Sequence, residues 1–167
     1  MSDDDRPVVG ARILLAVYLV LLVWVVLFKT QFSLDDIGSI RSLNLVPFRY
    51  ETETSWHLRE VLDNVVLFIP FGAYLRMAAD RIPVATTILV VAVGSLCLEL
   101  AQYVLAVGAS DVTDLITNTV GGALGALAHA ALSRFVDRGV LDKVLLIVSG
   151  ILMGVAVAGA LFLIWMN

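Results

Sequence analysis

Residues 144–166 read VLLIVSGILMGVAVAGALFLIWM, 23 consecutive positions without a charge. A helix needs about 20 such residues to cross the ~30 Å hydrocarbon core of a bilayer, so this stretch reads as a membrane span. Four further apolar stretches, at about 11–28, 61–77, 83–106 and 111–135, fit the same description. The whole chain agrees with them. Sixty per cent of its 167 residues are apolar, against a usual ~45–50% for soluble domains. A soluble domain of this length cannot hide so much apolar surface. The expected fold is therefore all-α, a polytopic transmembrane helical bundle of about five spans.

The same arithmetic excludes several classes. Net charge is −4 with no basic stripe, so a nucleic-acid partner is not expected. Cys97 is the sole cysteine; it cannot form an intrachain disulfide and reads as a small buried hydrophobe. The first apolar stretch has no small-x-small cleavage site after it and reads as a retained span rather than a signal peptide. The expected organisation is a cytoplasmic tail over 1–10, a span over 11–28, an outward loop over 29–60, a three-span core over 61–135 and an additional span over 143–166. The charge-free part of the second span, 64–75, is short and holds Pro70 and Gly72, which suggests a kinked, re-entrant or tilted element.

Orientation follows from Lys and Arg in the short loops. One side gathers Arg6, Arg12, Arg76, Arg81, Arg134, Arg138 and Lys143. The other holds Lys29, Arg41, Arg49 and Arg59, spread over a longer segment. The N-terminus is expected in the cytoplasm, with the long first loop and a turn at 107–110 facing outward.

A few polar residues interrupt the apolar pattern. Glu99 and Gln102 are three apart and share a helix face. Asp111, Asp114 and Asn118 form a stripe at the start of the fourth span, and Asn64 lies near the start of the second. All six sit at the outward ends of their helices, where they are candidates for one binding pocket. Carboxylates there are costly in lipid and repel one another, so a proton, a cation or a basic group is needed to neutralise them. Arg49 and Arg59 are the candidate partners. The plain structural alternatives are an N-cap for Asp111 or Ser110 and interhelical hydrogen bonds for Asn64 and Asn118. Gly121, Gly122 and Gly125 read as a close helix contact. His129 lies at the opposite end of its span from the carboxylates, and His57 falls in the outward loop. No zinc-protease, serine-hydrolase or phosphate-loop spacing is present, and neither a cofactor nor a metal is expected.

Four blocks carry a resemblance. They are Asn44-Leu45-Val46-Pro47-Phe48; Asn64 with Phe68-Ile69-Pro70-Phe71-Gly72; Glu99-x-x-Gln102; and Asp111-x-x-Asp114-x-x-x-Asn118-x-x-Gly121. In this order, across about half the chain, they resemble the VanZ-like family of integral membrane proteins associated with teicoplanin resistance. The resemblance implies a multi-pass protein of the bacterial cytoplasmic membrane. It also implies a link to low-level resistance to teicoplanin, a lipoglycopeptide that binds cell-wall precursors. Family members usually carry an arginine just before the Asp-x-x-Asp element. Here that stretch is Val107-Gly108-Ala109-Ser110, so either Arg49 or Arg59 stands in or the chemistry of the site is altered or lost in this member.

Three functional readings remain open at this level. In the first, the protein acts at the outer membrane surface, on or near lipid-linked envelope components, and contributes to glycopeptide tolerance. A membrane lipid or lipid-linked precursor is then the partner. In the second, it is a membrane-embedded hydrolase or transferase with Glu99 and Asp114 as acid and base. In the third, the polar network only sets helix register.

Overall fold

The computed structural model describes residues 6–28, 40–48, 54–79 and 81–166. The elements run α1 (Arg6–Phe28), β1 (Ile40–Asn44), α2 (Thr54–Ala78), α3 (Val84–Leu105), β2 (Val107–Asp111), α4 (Val112–Leu132) and α5 (Arg138–Met166). All five helices are long and apolar enough to cross a membrane, and the fold is the expected all-α transmembrane bundle. Its outward faces are apolar: Val20, Leu89, Val104, Ile147 and Leu152 are all more than three-fifths exposed. In a bilayer lipid covers these faces, and water never meets them.

Three expectations need correcting. First, α2 is a single 25-residue helix with Pro70 inside it, about 37 Å long at 1.5 Å per residue; it is not a re-entrant half-span. Its charge-free window understates it because polar residues ahead of that window, His57 to Asp63, remain helical. The ring of Pro70 removes one rung of the ladder, which helices packed among neighbours tolerate. Second, the connection at 107–110 is a strand, not a simple turn. β2 pairs in parallel with β1, Ile40 opposite Val107 and Asn44 opposite Asp111. Third, Cys97 is exposed on the outer face of α3, where an apolar side chain meets lipid, instead of being buried.

Backbone contact sets the geometry of the centre. A Cβ added at Gly125 would lie 1.9 Å from the Ile69 carbonyl oxygen, and one at Gly121 would lie 2.2 Å from that of Val65. One at Gly72 would lie 1.9 Å from the Gly122 carbonyl oxygen. The matches rise together along both helices, so α2 and α4 run parallel with their backbones touching, and only glycine fits at these three positions. α3 runs antiparallel to α4: Asn118 meets Ser95 while Asp111 meets Glu99. α1 lies antiparallel to α2, with Leu22 and Val26 in a cluster around Phe68 and Phe71, and Ala11 and Leu14 around Tyr74 and Met77. Tyr18 joins the pair by donating its hydroxyl to the Leu67 carbonyl. α5 is peripheral. Leu145, Leu146 and Met153 pack on the second cluster, and Asp142 bonds His129 of α4.

Candidate functional site

The site begins where α3 ends. Ala106 adopts a left-handed conformation (φ 52°, ψ 44°), closing α3 with a bond from its N–H to the Tyr103 carbonyl. This conformation costs a non-glycine residue about 1–2 kcal/mol. It turns the chain into β2, which runs directly into α4. Asp111 is both the last residue of β2 and the N-cap of α4: its Oδ1 accepts the Thr113 N–H at 2.7 Å. The N-cap alternative for Asp111 is therefore realised, and it leaves Oδ2 free to do something else. Asn44, at the end of β1, donates to that Oδ2 at 3.0 Å.

Glu99 is tied to the same corner. Its Oε2 accepts the Asp111 backbone N–H at 2.9 Å, and its carbonyl accepts the Ser110 hydroxyl at 2.7 Å. Phe48, just past β1, donates its N–H to Thr113 Oγ1 at 3.0 Å. The Asn44-to-Phe48 block, the Glu99 block and the Asp111 block thus meet through hydrogen bonds. The β ribbon ties together segments more than sixty residues apart.

Below this corner the interior stays polar. The buried stripe of α4 opens with Thr113, Asp114, Thr117 and Asn118, continues through Gly121, Gly122 and Gly125, and ends at His129. Asn118 Nδ2 donates to Ser95 Oγ at 2.9 Å across the α3–α4 interface. Glu99 and Asp114 lie one helical turn from Ser95 and Asn118 respectively, toward the ribbon, and both are less than one-tenth exposed. They lie at a similar level along their antiparallel helices. Asn64 is buried on α2, next to the Val65 backbone that abuts Gly121.

Gln102 turns toward a different neighbour. Its Nε2 donates at 3.0 Å to the carbonyl of Val26, in the last turn of α1, where helix carbonyls have no partner within the helix. Among the described residues, Gln102 Oε1 and Asn118 Oδ1 are buried acceptors without a hydrogen-bond donor. Arg59 is not the expected counter-ion. It is exposed near the start of α2 beside Asp63 at 3.7 Å, an (i, i+4) pair that holds it on the helix surface. Arg49 lies outside the described residues. His57 is in the first turn of α2 and not in a loop. Among the described residues, no group of three or more His, Cys, Asp or Glu side chains is arranged to hold a metal ion.

A cavity of about 370 Å³ opens beside this corner, with Glu99, Ser110 and Asp111 at one end and Leu43, Leu45 and Leu100 among its walls. A second polar contact lies at the far end of the bundle. His129 Nε2 and Asp142 Oδ1 are 2.7 Å apart, with the histidine side chain fully buried. Sequence reasoning missed this pair. The signal was available in part, since His129 falls on the same buried face as Asp114, Asn118, Gly121 and Gly125. Its partner, however, stands on the next helix beyond a turn.

The fold and site define a class: a multi-pass helical membrane protein whose interior is polar and acidic at one end, beneath a short parallel ribbon. The VanZ/LLP1 family model matches residues 15–133, and the chain belongs to that family. It is 43% identical over 145 residues to Protein VanZ of Enterococcus faecium, covering 86% of this chain and 87% of that relative. No solved structure matches the chain. The family match takes in most of α1 as well as α2 to α4 and stops before α5.

Proposed function

We propose that the protein works at the outer face of the cytoplasmic membrane, with its N-terminus inside, on or near lipid-linked components of the cell envelope. There it contributes to tolerance of glycopeptides such as teicoplanin. The observation that carries this reading is the clustering of Glu99, Asp111, Asp114 and Asn118 within about two helical turns of the β ribbon. Ionisable residues inside a membrane protein are costly unless they serve a site. The Lys and Arg distribution supports the orientation, since the ribbon end then lies outside. The three carboxylates and the Asn118 amide oxygen are acceptors, suited to a ligand that brings hydrogen-bond donors. Asn44 of the ribbon and the Thr113 N–H of α4 fix the Asp111 carboxylate, so that binding costs little reorganisation.

The test uses Glu99→Gln and Asp114→Asn, which keep side-chain shape but remove charge. Cells expressing each variant should lose several-fold in teicoplanin tolerance while the membrane level of the protein stays constant. Wild-type tolerance in both variants would overturn the reading.

A further inference from the structure

β2 does not leave the bundle where α3 ends. Its Ser110 hydroxyl reaches back to the carbonyl of Glu99, more than a full helical turn before α3 closes at Leu105. β2 therefore runs back alongside the last turns of α3, from Val107 at the end of that helix to Asp111 at the start of α4. β1 is parallel to it, so β1 descends the same way and its last residues lie deeper than its first. The block that follows, Leu45 to Phe48, starts from that deeper end.

The side chains there are apolar and uncovered. Leu43, Leu45, Val46 and Phe48 are each about half exposed or more. Single exposed hydrophobes are ordinary on a surface, but a contiguous set marks contact with something. Phe48 also holds a left-handed backbone conformation, φ 56°, which a phenylalanine keeps only where its surroundings hold it. The apolar set is continuous with the lipid-covered face of α3: Leu43 and Leu45 wall the same cavity as Leu96 and Leu100, both about half exposed on that helix. The backbone is prepared for a place poor in water. Asn44 Oδ1 accepts the Val46 N–H at 3.1 Å and Thr113 Oγ1 accepts the Phe48 N–H at 3.0 Å. Between them Pro47 has no N–H to satisfy. Backbone donors in lipid must be met from within the protein.

Two physical limits fix the depth. A two-stranded ribbon keeps open edges, which the hydrocarbon core does not tolerate. A contiguous set of apolar side chains is driven out of bulk water. In the sequence Arg41 and Arg49 bracket the uncharged run 42–48, and arginine is a residue type that anchors at the membrane interface. We propose that the segment from Leu43 to Phe48 is a membrane-inserted wedge, its apolar side chains seated in lipid at the boundary between head groups and acyl chains, beside α3. Ser42, nearer the start of β1, stays on the water side. The wedge enters whichever leaflet the ribbon end faces, so it does not rest on the outward-facing reading above.

Tryptophan quenching tests it. In the full chain Trp24, Trp56 and Trp165 are replaced by Phe and a reporter is placed by Phe48→Trp, with Leu45→Trp as the second reporter should the first fail to fold. The protein is reconstituted in phosphatidylcholine nanodiscs, whose two faces are both open to the buffer. Phosphatidylcholine brominated near the head-group end of its chains should quench the reporter several-fold, and iodide in the buffer only weakly. Strong quenching by iodide with none by the brominated lipid puts the segment in water and overturns the proposal. Quenching by neither means that protein covers the side chain, and overturns it as well. Stronger quenching by lipid brominated at the chain ends than by the shallow bromines overturns the boundary depth.

Discussion

Glycines at three positions decide how closely the central helices approach. Gly125 shows this most sharply, since a Cβ there would meet the Ile69 carbonyl oxygen at 1.9 Å, backbone against backbone, with no side chain able to move aside. Gly125→Ala should lower stability by about 3 kcal/mol, the upper range for overpacking. Thermal unfolding of the detergent-solubilised protein would read this as a clear drop in midpoint. Glu99 offers a graded contrast. Its Oε2 accepts the Asp111 N–H; glutamine retains an acceptor, whereas leucine leaves that amide unpaired. Glu99→Leu should therefore destabilise by about 1–3 kcal/mol, while Glu99→Gln stays near wild type in unfolding measurements. The sequence marked Gly121 and Gly125 as packing residues and offered a cap as one of two readings of Asp111, because both follow from local spacing; it read Gly72 as part of a kink. It did not reveal that Gln102 closes the end of α1 or that Arg59 rests beside Asp63. Both depend on where a long side chain points, which spacing leaves open.

At the scale of elements, the five spans were legible because length and apolar content decide them. The β ribbon was not. β1 and β2 are five residues each, lie more than sixty residues apart in sequence and pair in parallel, so no local pattern announces them. The register makes a direct prediction: cysteines at Leu43→Cys and Ser110→Cys, opposite each other, should form a disulfide on mild oxidation in a Cys97→Ala background. Adjacent strands lie about 4.8 Å apart, within disulfide reach. Absence of the cross-link, seen as unchanged gel mobility, would contradict the pairing. The other hidden contact joins α4 to α5. Removing either partner of the His129–Asp142 pair leaves the other without its hydrogen bond in a nearly dry place, at a cost of about 1–3 kcal/mol. His129→Leu and Asp142→Leu should each be strongly destabilising, and the double variant should lose less than the sum of the two, as a double-mutant cycle in unfolding would show.

At the scale of the molecule, the polar interior is asymmetric. The acidic corner under the ribbon occupies one end, and His129 with Asp142 the other. The proposed role depends on which end faces out. The proposed direction rests on the excess of Lys and Arg in the loops opposite the ribbon, and the apolar length of the helices is silent about it. The decisive measurement is labelling of Ser42→Cys, an exposed ribbon position, in a Cys97→Ala background with a membrane-impermeant thiol reagent. An outward-facing site predicts full labelling on intact cells, unchanged by permeabilisation. Labelling that appears only after the membrane is opened would put the carboxylates on the cytoplasmic side and contradict the proposed action at the outer surface.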